Sequence, residues 1–99
     1  MIKDYELMLI LNPNQSADEA NAMNDSLVAL VTENGGEITK IDPWGKRMLA
    51  YPINKFNEGY YYVDYFKLDS LLVKKLSASF KINENIIRHQ FVVKNWGEY

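Results

Sequence analysis

The stretch Trp44–Asn54, WGKRMLAYPIN, combines a flexible glycine, two adjacent cations and a strand-like apolar run. Gly45 can adopt the positive φ of a tight turn without the steric cost that a side chain would add. Pro52 has no N–H to donate to a neighbouring strand, so this segment lies at a sheet edge or contains a bulge. The stretch therefore predicts an exposed hairpin edge that begins with Lys46 and Arg47. Alternation with a period of two places its apolar residues on one strand face, namely Leu49, Tyr51 and Ile53.

Upstream of this stretch, the chain predicts one strand, one helix and the start of a second strand. Apolar and polar residues alternate over Asp4–Leu11, as in a strand with one buried face. Ser16 and Glu19 fit a capping box, in which each side chain bonds the backbone N–H of the other at a helix start. An apolar stripe at helical spacing follows, and Asn34–Gly36 provides a left-handed helix stop. Glu37–Asp42 then begins the second strand.

The phase of the apolar residues changes within this second strand. Ile38 and Ile41 have opposite parity, so they cannot both face the core of a regular strand. A bulge near Thr39 or Lys40, or a break at Pro43, would restore the phase before Leu49, and both alternatives remain open.

Downstream, the chain predicts a third strand, a second helix and a fourth strand. The third strand, Tyr60–Leu68, is rich in tyrosine and follows Gly59, and it pairs with the second strand as a long hairpin. Asp69 or Ser70 caps the second helix. The last strand covers Ile86–Lys94. Alternation places three of its apolar residues on one face, namely Ile87, Phe91 and Val93.

The order βαββαβ predicts an α+β ferredoxin-like sandwich in which two helices cover one face of a four-stranded antiparallel sheet. All 99 residues form a single domain, because the chain has no linker and no room for a second core. The other sheet face stays open. If odd positions of the first strand and even positions of the third point at the helices, this face carries Met8, Ile10, Tyr61, Val63 and Tyr65. An exposed apolar face of this kind is typical of a protein-binding or base-stacking surface.

Composition excludes several classes of function. The chain has no cysteine and one histidine, so disulfides, thiolate catalysis and metal sites built from these residues are not expected. A net charge of −2 argues against a nonspecific nucleic-acid binder that acts alone. No apolar run is long enough to span a membrane, and the N-terminal residues have no secretory or transit pattern. We expect a cytoplasmic protein with no cofactor, no metal and no small-molecule substrate.

Catalytic and base-stacking alternatives lack the residues that they require. His89 has no evident serine or cysteine partner, so it is expected to be a packing or surface histidine. The phosphate loop of the acylphosphatases, which share this fold, is missing between Leu11 and Ser16. An RNA-recognition motif needs basic and aromatic signatures on its two central strands, and the first and fourth strands lack them. Most of the tyrosines therefore serve strand formation, while Asp64 among aromatic residues has no explanation.

The stretch around Arg47 resembles the signature of the bacterial small-subunit ribosomal protein six family. The similarity extends to the opening and to the end of the chain, and thus covers nearly all of it. The matching residues are Gly45, Arg47, Leu49–Tyr51, Ile53 and Asn54, together with Tyr5–Leu7, Leu11–Pro13, Glu84–Arg88 and Val92–Lys94. This resemblance implies a protein without enzymatic activity that binds small-subunit ribosomal RNA together with ribosomal protein eighteen.

Two sets of candidate residues follow. The RNA-binding set rests on the resemblance and the charge pattern, and the partner-binding set rests mainly on strand alternation. Arginine can bind phosphate through two parallel hydrogen bonds, so Arg47 and Arg88 are the strongest RNA-binding candidates. The alternative function is a ferredoxin-like small-molecule-sensing or oligomerisation module. The full RNA-binding set is Lys46, Arg47, Lys55, Lys81, Arg88 and Lys94, and the partner-binding set is Met8, Ile10, Trp44, Tyr61 and Val63.

Overall fold

The computed structural model describes residues 1–94, and of Lys94 it describes only the backbone. The tail at 95–99 lies outside the described residues. The six elements follow the predicted order βαββαβ. They are β1 (Ile2–Leu11), α1 (Ala17–Glu33), β2 (Glu37–Ile53), β3 (Phe56–Asp69), α2 (Ser70–Lys81) and β4 (Ile86–Lys94).

The four strands form one antiparallel sheet in the order β2-β3-β1-β4, so β3 and β1 are central. The expectation that the fourth strand is central is therefore wrong, because β4 pairs with β1 alone at the sheet edge. Both helices pack on the same sheet face, which confirms the ferredoxin-like architecture. Odd positions of β1, such as Leu7 and Leu9, and even positions of β3, such as Phe66, are almost fully buried there. Leu27 from α1 and Phe80 from α2 close the core from the other side. Burial of these apolar side chains is the main force that holds the two layers together.

The helix ends follow the capping signals of the sequence. Ser16 Oγ accepts a hydrogen bond from the Glu19 N–H at 3.1 Å, and the Glu19 carboxylate accepts from the Ser16 N–H at 2.9 Å. The pKa of Glu19 is lowered because the Ser16 N–H, and to a smaller extent the Ser16 hydroxyl, stabilise its charged carboxylate. Asp69 caps α2 by accepting from the Leu71 N–H at 3.0 Å. Gly35 follows α1 with a φ of +83°, as expected for a left-handed helix stop.

The second strand is longer and less regular than the sequence indicates. The pairing of β2 with β3 shifts between Ile38 and Lys40, as expected for a bulge near Thr39. It shifts again between Pro43 and Gly45, but β2 continues through Pro43, so this is an irregularity and not a break. The prediction of a turn at Gly45 is wrong, because its φ of +80° belongs to an irregularity inside the strand. The hairpin turn is Asn54–Lys55, where both residues have positive φ, as in a type I′ turn. β3 consequently begins before Gly59.

The fourth strand also contains an irregularity. Its pairing with β1 shifts between Ile10 and Leu11, so that Leu11 pairs with Ile86. Ile86 therefore packs against the core beneath the helices. The prediction that Ile87 shares a face with Phe91 is wrong, because the Ile87 side chain lies beside Gly59 and Ile10 on the opposite face.

Across residues 1–94, neither helix is long and apolar enough to cross a membrane.

Candidate protein and RNA interface

The sheet face opposite the helices carries an apolar patch at its centre. Met8 on β1 pairs with Val63 on β3, and Ile10 pairs with Tyr61, so these four side chains share one face. Met8 is 37% exposed, whereas Ile10 and Val63 are 5% and 2% exposed. The expectation of a uniformly exposed patch is therefore corrected: Met8 is accessible, and the two branched residues are already covered within this chain.

The cover over Ile10 comes partly from the end of β2 and partly from a neighbouring strand. Leu49, Tyr51 and Ile53 of β2 line a shallow groove together with Ile10. A Cβ on Gly59 would lie 2.6 Å from the Ile10 Cγ2 atom, so the glycine permits a close approach of β3 to β1. The β2–β3 hairpin thus borders one side of the open face.

Trp44 and Arg47 form an aromatic and cationic cluster on this hairpin. The Trp44 and Tyr61 rings stack with their centroids 6.5 Å apart and an interplanar angle of 14°. The Arg47 guanidinium carbon lies 5.7 Å from the centroid of the Trp44 ring, and Arg47 Nε donates to the Trp44 carbonyl oxygen at 3.1 Å. Trp44 Nε1 donates to Asp42 at 3.1 Å. These contacts fix the arginine beside an indole that is 44% exposed.

Lys46 lies on the other face of the same hairpin, although it is adjacent to Arg47 in sequence. Lys46 pairs with Tyr60 in the β2–β3 register, and its ammonium group lies 5.4 Å from the centroid of that ring. The ammonium also forms a salt bridge of 3.6 Å with Glu58. Part of its charge is therefore compensated within the chain, whereas Arg47 forms no salt bridge within residues 1–94.

Arg88 lies across the open face from Arg47, on β4. It pairs with Ile10 in the β1–β4 register and lines the same groove as Tyr51. Arg88 Nη1 donates to the Tyr51 hydroxyl at 3.3 Å, which links β4 to the end of β2 across the groove. The arginine thus borders the apolar patch and keeps other N–H groups for further partners.

The remaining candidate cations are Lys55, Lys81 and Lys94. Lys55 lies exposed in the hairpin turn, with a φ of +69°. Lys81 ends α2 on the helix side of the sheet and lies near His89, whose pKa is lowered by burial and by the lysine charge. The backbone of Lys94 pairs with Asp4, but its side chain lies outside the described part of the chain. The structure therefore brings Arg47 and Arg88 to one face and separates Lys46 and Lys81 from them.

Two polar sites were not found from the sequence. Asp64 is fully buried beneath α1, where its carboxylate accepts a hydrogen bond from the Asn24 amide at 3.1 Å. The sequence signals for this pair are the unexplained position of Asp64 among aromatic residues and Asn24 on the buried side of α1. The second site joins His89 Nε2 and the Ser77 Oγ, which are 3.0 Å apart between β4 and α2. His89 is therefore a packing residue, as expected. The expectation that it lacks a serine partner is wrong, because the Ser77 hydroxyl lies within hydrogen-bond distance.

Within residues 1–94, no three histidine or carboxylate side chains cluster so that they could hold a metal ion.

Comparison with known proteins identifies the family. Residues 4–93 match the family model described as Ribosomal protein S6. The small ribosomal subunit protein bS6 of Thermoanaerobacter pseudethanolicus is 41% identical over 91 residues, which cover 92% of this chain and 96% of the relative. The corresponding protein of Desulforamulus reducens is 38% identical over 91 residues, with the same two coverages.

A solved structure supports the same assignment. The crystal structure of 30S ribosomal protein S6 from Thermotoga maritima matches with a TM-score of 0.88 and 33% identity, over 95% of this chain and 89% of that one. The chain therefore belongs to the ribosomal protein S6 family and is a structural constituent of the small ribosomal subunit.

Proposed function

We propose that this chain binds small-subunit ribosomal RNA together with ribosomal protein eighteen, as a noncatalytic cytoplasmic protein made of one domain. The open sheet face docks the protein partner, and the arginines that border this face contact phosphate. The observation that carries the proposal is the grouping of Met8 and Tyr61 with Arg47 and Arg88 on one face. An accessible apolar centre with cationic borders fits a surface that meets a protein and a nucleic acid at the same time.

The protein side of the proposal rests on the apolar patch. Met8 and Trp44 are partly exposed, and the Trp44–Tyr61 stack presents a large rigid surface that loses little conformational entropy on binding. Ile10 and Val63 lie beneath this surface and support it from within. Val63 and Ile10 thus act in docking as the packed base of the patch, while Met8, Tyr61 and Trp44 make the contacts.

The RNA side rests on the two arginines and on the charge balance of the chain. Arg47 and Arg88 form no salt bridge within residues 1–94, so their charges remain available to phosphate. Lys55 at the hairpin tip, with Lys46, Lys81 and Lys94, adds charge at the periphery. The net charge of −2 nevertheless provides little general attraction to RNA. We therefore infer that the chain needs a basic partner for tight RNA binding.

A mobility-shift assay with the small-subunit RNA tests this inference. Each protein is added alone, and then both are added together, at the same salt concentration. We expect weak binding by this chain alone and a strong increase with ribosomal protein eighteen. Tight and specific RNA binding by this chain alone would contradict the requirement for a partner. Self-association of the chain through the same face, without RNA binding under any condition, would favour an oligomerisation module.

A further inference from the structure

A buried acid lies at the contact between α1 and the centre of the sheet. Asp64 of β3 is 0% exposed and Asn24 of α1 is 1% exposed. Their side chains are joined by one hydrogen bond, from Asn24 Nδ2 to Asp64 Oδ1 at 3.1 Å. The remaining oxygen of each side chain, Asn24 Oδ1 and Asp64 Oδ2, is buried without a hydrogen-bond partner. Buried polar atoms without partners are rare and costly, so this arrangement needs an explanation.

The two unpartnered atoms are both acceptors when the acid is ionised. A carboxylate and a carboxamide are both planar groups. When one N–H···O bond joins them, the second carboxylate oxygen and the carboxamide oxygen are the two atoms left without a partner. When Asp64 is ionised, neither of these two oxygens carries a hydrogen, so no hydrogen bond can form between them. A single proton on Asp64 Oδ2 changes this oxygen into a donor and satisfies the Asn24 oxygen as well.

We propose that Asn24 and Asp64 form a proton-linked contact between α1 and β3, in which protonated Asp64 donates to Asn24 Oδ1 and closes a second hydrogen bond. The Asn24–Asp64 pair therefore holds the helix to the sheet more strongly when the acid is neutral. The pair is distinct from the proposed interface, because it lies on the helix side of β3 whereas Val63 and Tyr61 face the other side.

The surroundings of Asp64 favour its neutral form. On the neighbouring strands its pairing partners are the apolar residues Leu7 and Ile41. On α1, Asp25 adds negative charge, and on β3 the Tyr62 hydroxyl is a neutral group whose own pKa is raised. Burial, with a smaller contribution from Asp25, raises the pKa of Asp64 to about 6, against the opposing effect of the Asn24 hydrogen bond.

The sign of the effect on stability follows from this shift. The folded chain holds a proton on Asp64 up to about pH 6, whereas the unfolded chain loses it near 3.8. Stability from this group is therefore complete below 3.8 and is lost as the pH rises through about 6. The difference corresponds to a change of about 100-fold in the folding equilibrium across that window.

Denaturant unfolding of the wild type and of Asp64→Asn tests the proposal. Asparagine carries the hydrogen that the protonated acid would supply, so this variant should be at least as stable as the wild type near neutral pH. Between about pH 7.5 and about pH 5 we expect the wild type to gain about 10-fold in its folding equilibrium relative to the variant. Titration of His89 affects both proteins alike and cancels in this comparison.

Asp18→Asn is the matched control, because Asp18 is exposed in the first turn of α1 and should leave the relative pH dependence unchanged. Carbon-13 NMR titration of the Asp64 carboxyl in the wild type measures the protonation of Asp64 directly, without a variant. A midpoint near 6 supports the proposal. A midpoint near 3.8, or an equal pH dependence in the wild type and Asp64→Asn, would overturn it.

Discussion

Arg47 lies over Trp44, with its guanidinium carbon 5.7 Å from the ring centroid and its Nε bonded to the Trp44 carbonyl oxygen at 3.1 Å. The arginine is thus oriented by an aromatic ring and a neutral carbonyl group. A carboxylate in that role would neutralise its charge, whereas these contacts leave the charge available to an anion. Arg47 differs in this respect from Lys46, whose ammonium group forms a salt bridge with Glu58.

Replacing Arg47 with alanine should weaken the complex with RNA and ribosomal protein eighteen. If Arg47 contacts one phosphate, the slope of log affinity against log salt concentration should fall by about 1. The free energy of unfolding should change by less than about 0.5 kcal/mol, because Arg47 is exposed. Binding titrations at several salt concentrations, together with denaturant unfolding, measure both quantities.

Lys46→Ala is the matched control for that variant. It removes an adjacent cation that lies on the other face of the hairpin and already has a carboxylate partner. We expect a smaller loss of affinity than for Arg47→Ala. An unchanged salt dependence in Arg47→Ala, or an equal effect in both variants, would show that Arg47 does not contact phosphate.

Met8→Glu should disrupt docking of the protein partner without unfolding the chain. Met8 is 37% exposed on the open face, so a glutamate there remains hydrated in the isolated protein but loses its water in an interface. We expect the affinity for ribosomal protein eighteen to fall about 10-fold or more. Leu71→Glu, at an exposed apolar residue on α2, provides a control on the helix side. Normal docking by Met8→Glu would place the contact elsewhere on the chain.

Substitution of Ile10 should act on the fold rather than on docking alone. Ile10 on β1 is only 5% exposed, because Gly59 of β3 and the end of β2 lie against it. Ile10→Ala should therefore lower the free energy of unfolding by about 2–5 kcal/mol. Thermal or denaturant unfolding of the isolated chain measures this loss. A loss below about 0.5 kcal/mol, the range of exposed sites, would contradict the observed cover.

Gly59→Ala should test the close approach of β3 to β1. The added Cβ would lie 2.6 Å from Ile10 Cγ2 and 3.0 Å from the Leu11 carbonyl oxygen, so strands or side chains must move. Overpacking of this kind typically costs about 1–3 kcal/mol. Gly45→Ala is a useful comparison, because its Cβ meets nothing within 4 Å and only its φ of +80° opposes the substitution. Retention of wild-type stability by Gly59→Ala would mean that the strands approach less closely.

The sequence was sufficient to predict the features that depend on local signals. The capping box at Ser16, the cap at Asp69 and the buried stripe of α1 are short-range patterns, and each is confirmed. The order of elements followed from periodicity together with cap and turn signals, and the open face followed from alternation once odd positions of β1 were assumed to face the helices. These features need no knowledge of what packs against them, which explains why they could be predicted.

The features that could not be predicted depend on contacts between distant segments. The irregularity that turns Ile87 away from Phe91 arises from the register with β1, which the fourth strand does not encode by itself. Ile10 is covered because the end of β2 and Gly59 approach it. Asp64 finds Asn24 only after α1 packs on β3, across 40 positions of the sequence. The separation of Lys46 from Arg47 likewise follows from strand pairing.

Amide hydrogen exchange of this chain, with and without ribosomal protein eighteen, tests whether the open sheet face docks that partner. We expect added protection, or NMR shifts of the amides, around Met8, Tyr61 and Trp44, with no change around Leu71 on α2. Protection confined to the helix side, with Met8 and Tyr61 unaffected, would contradict the assignment of the open sheet face as the docking surface.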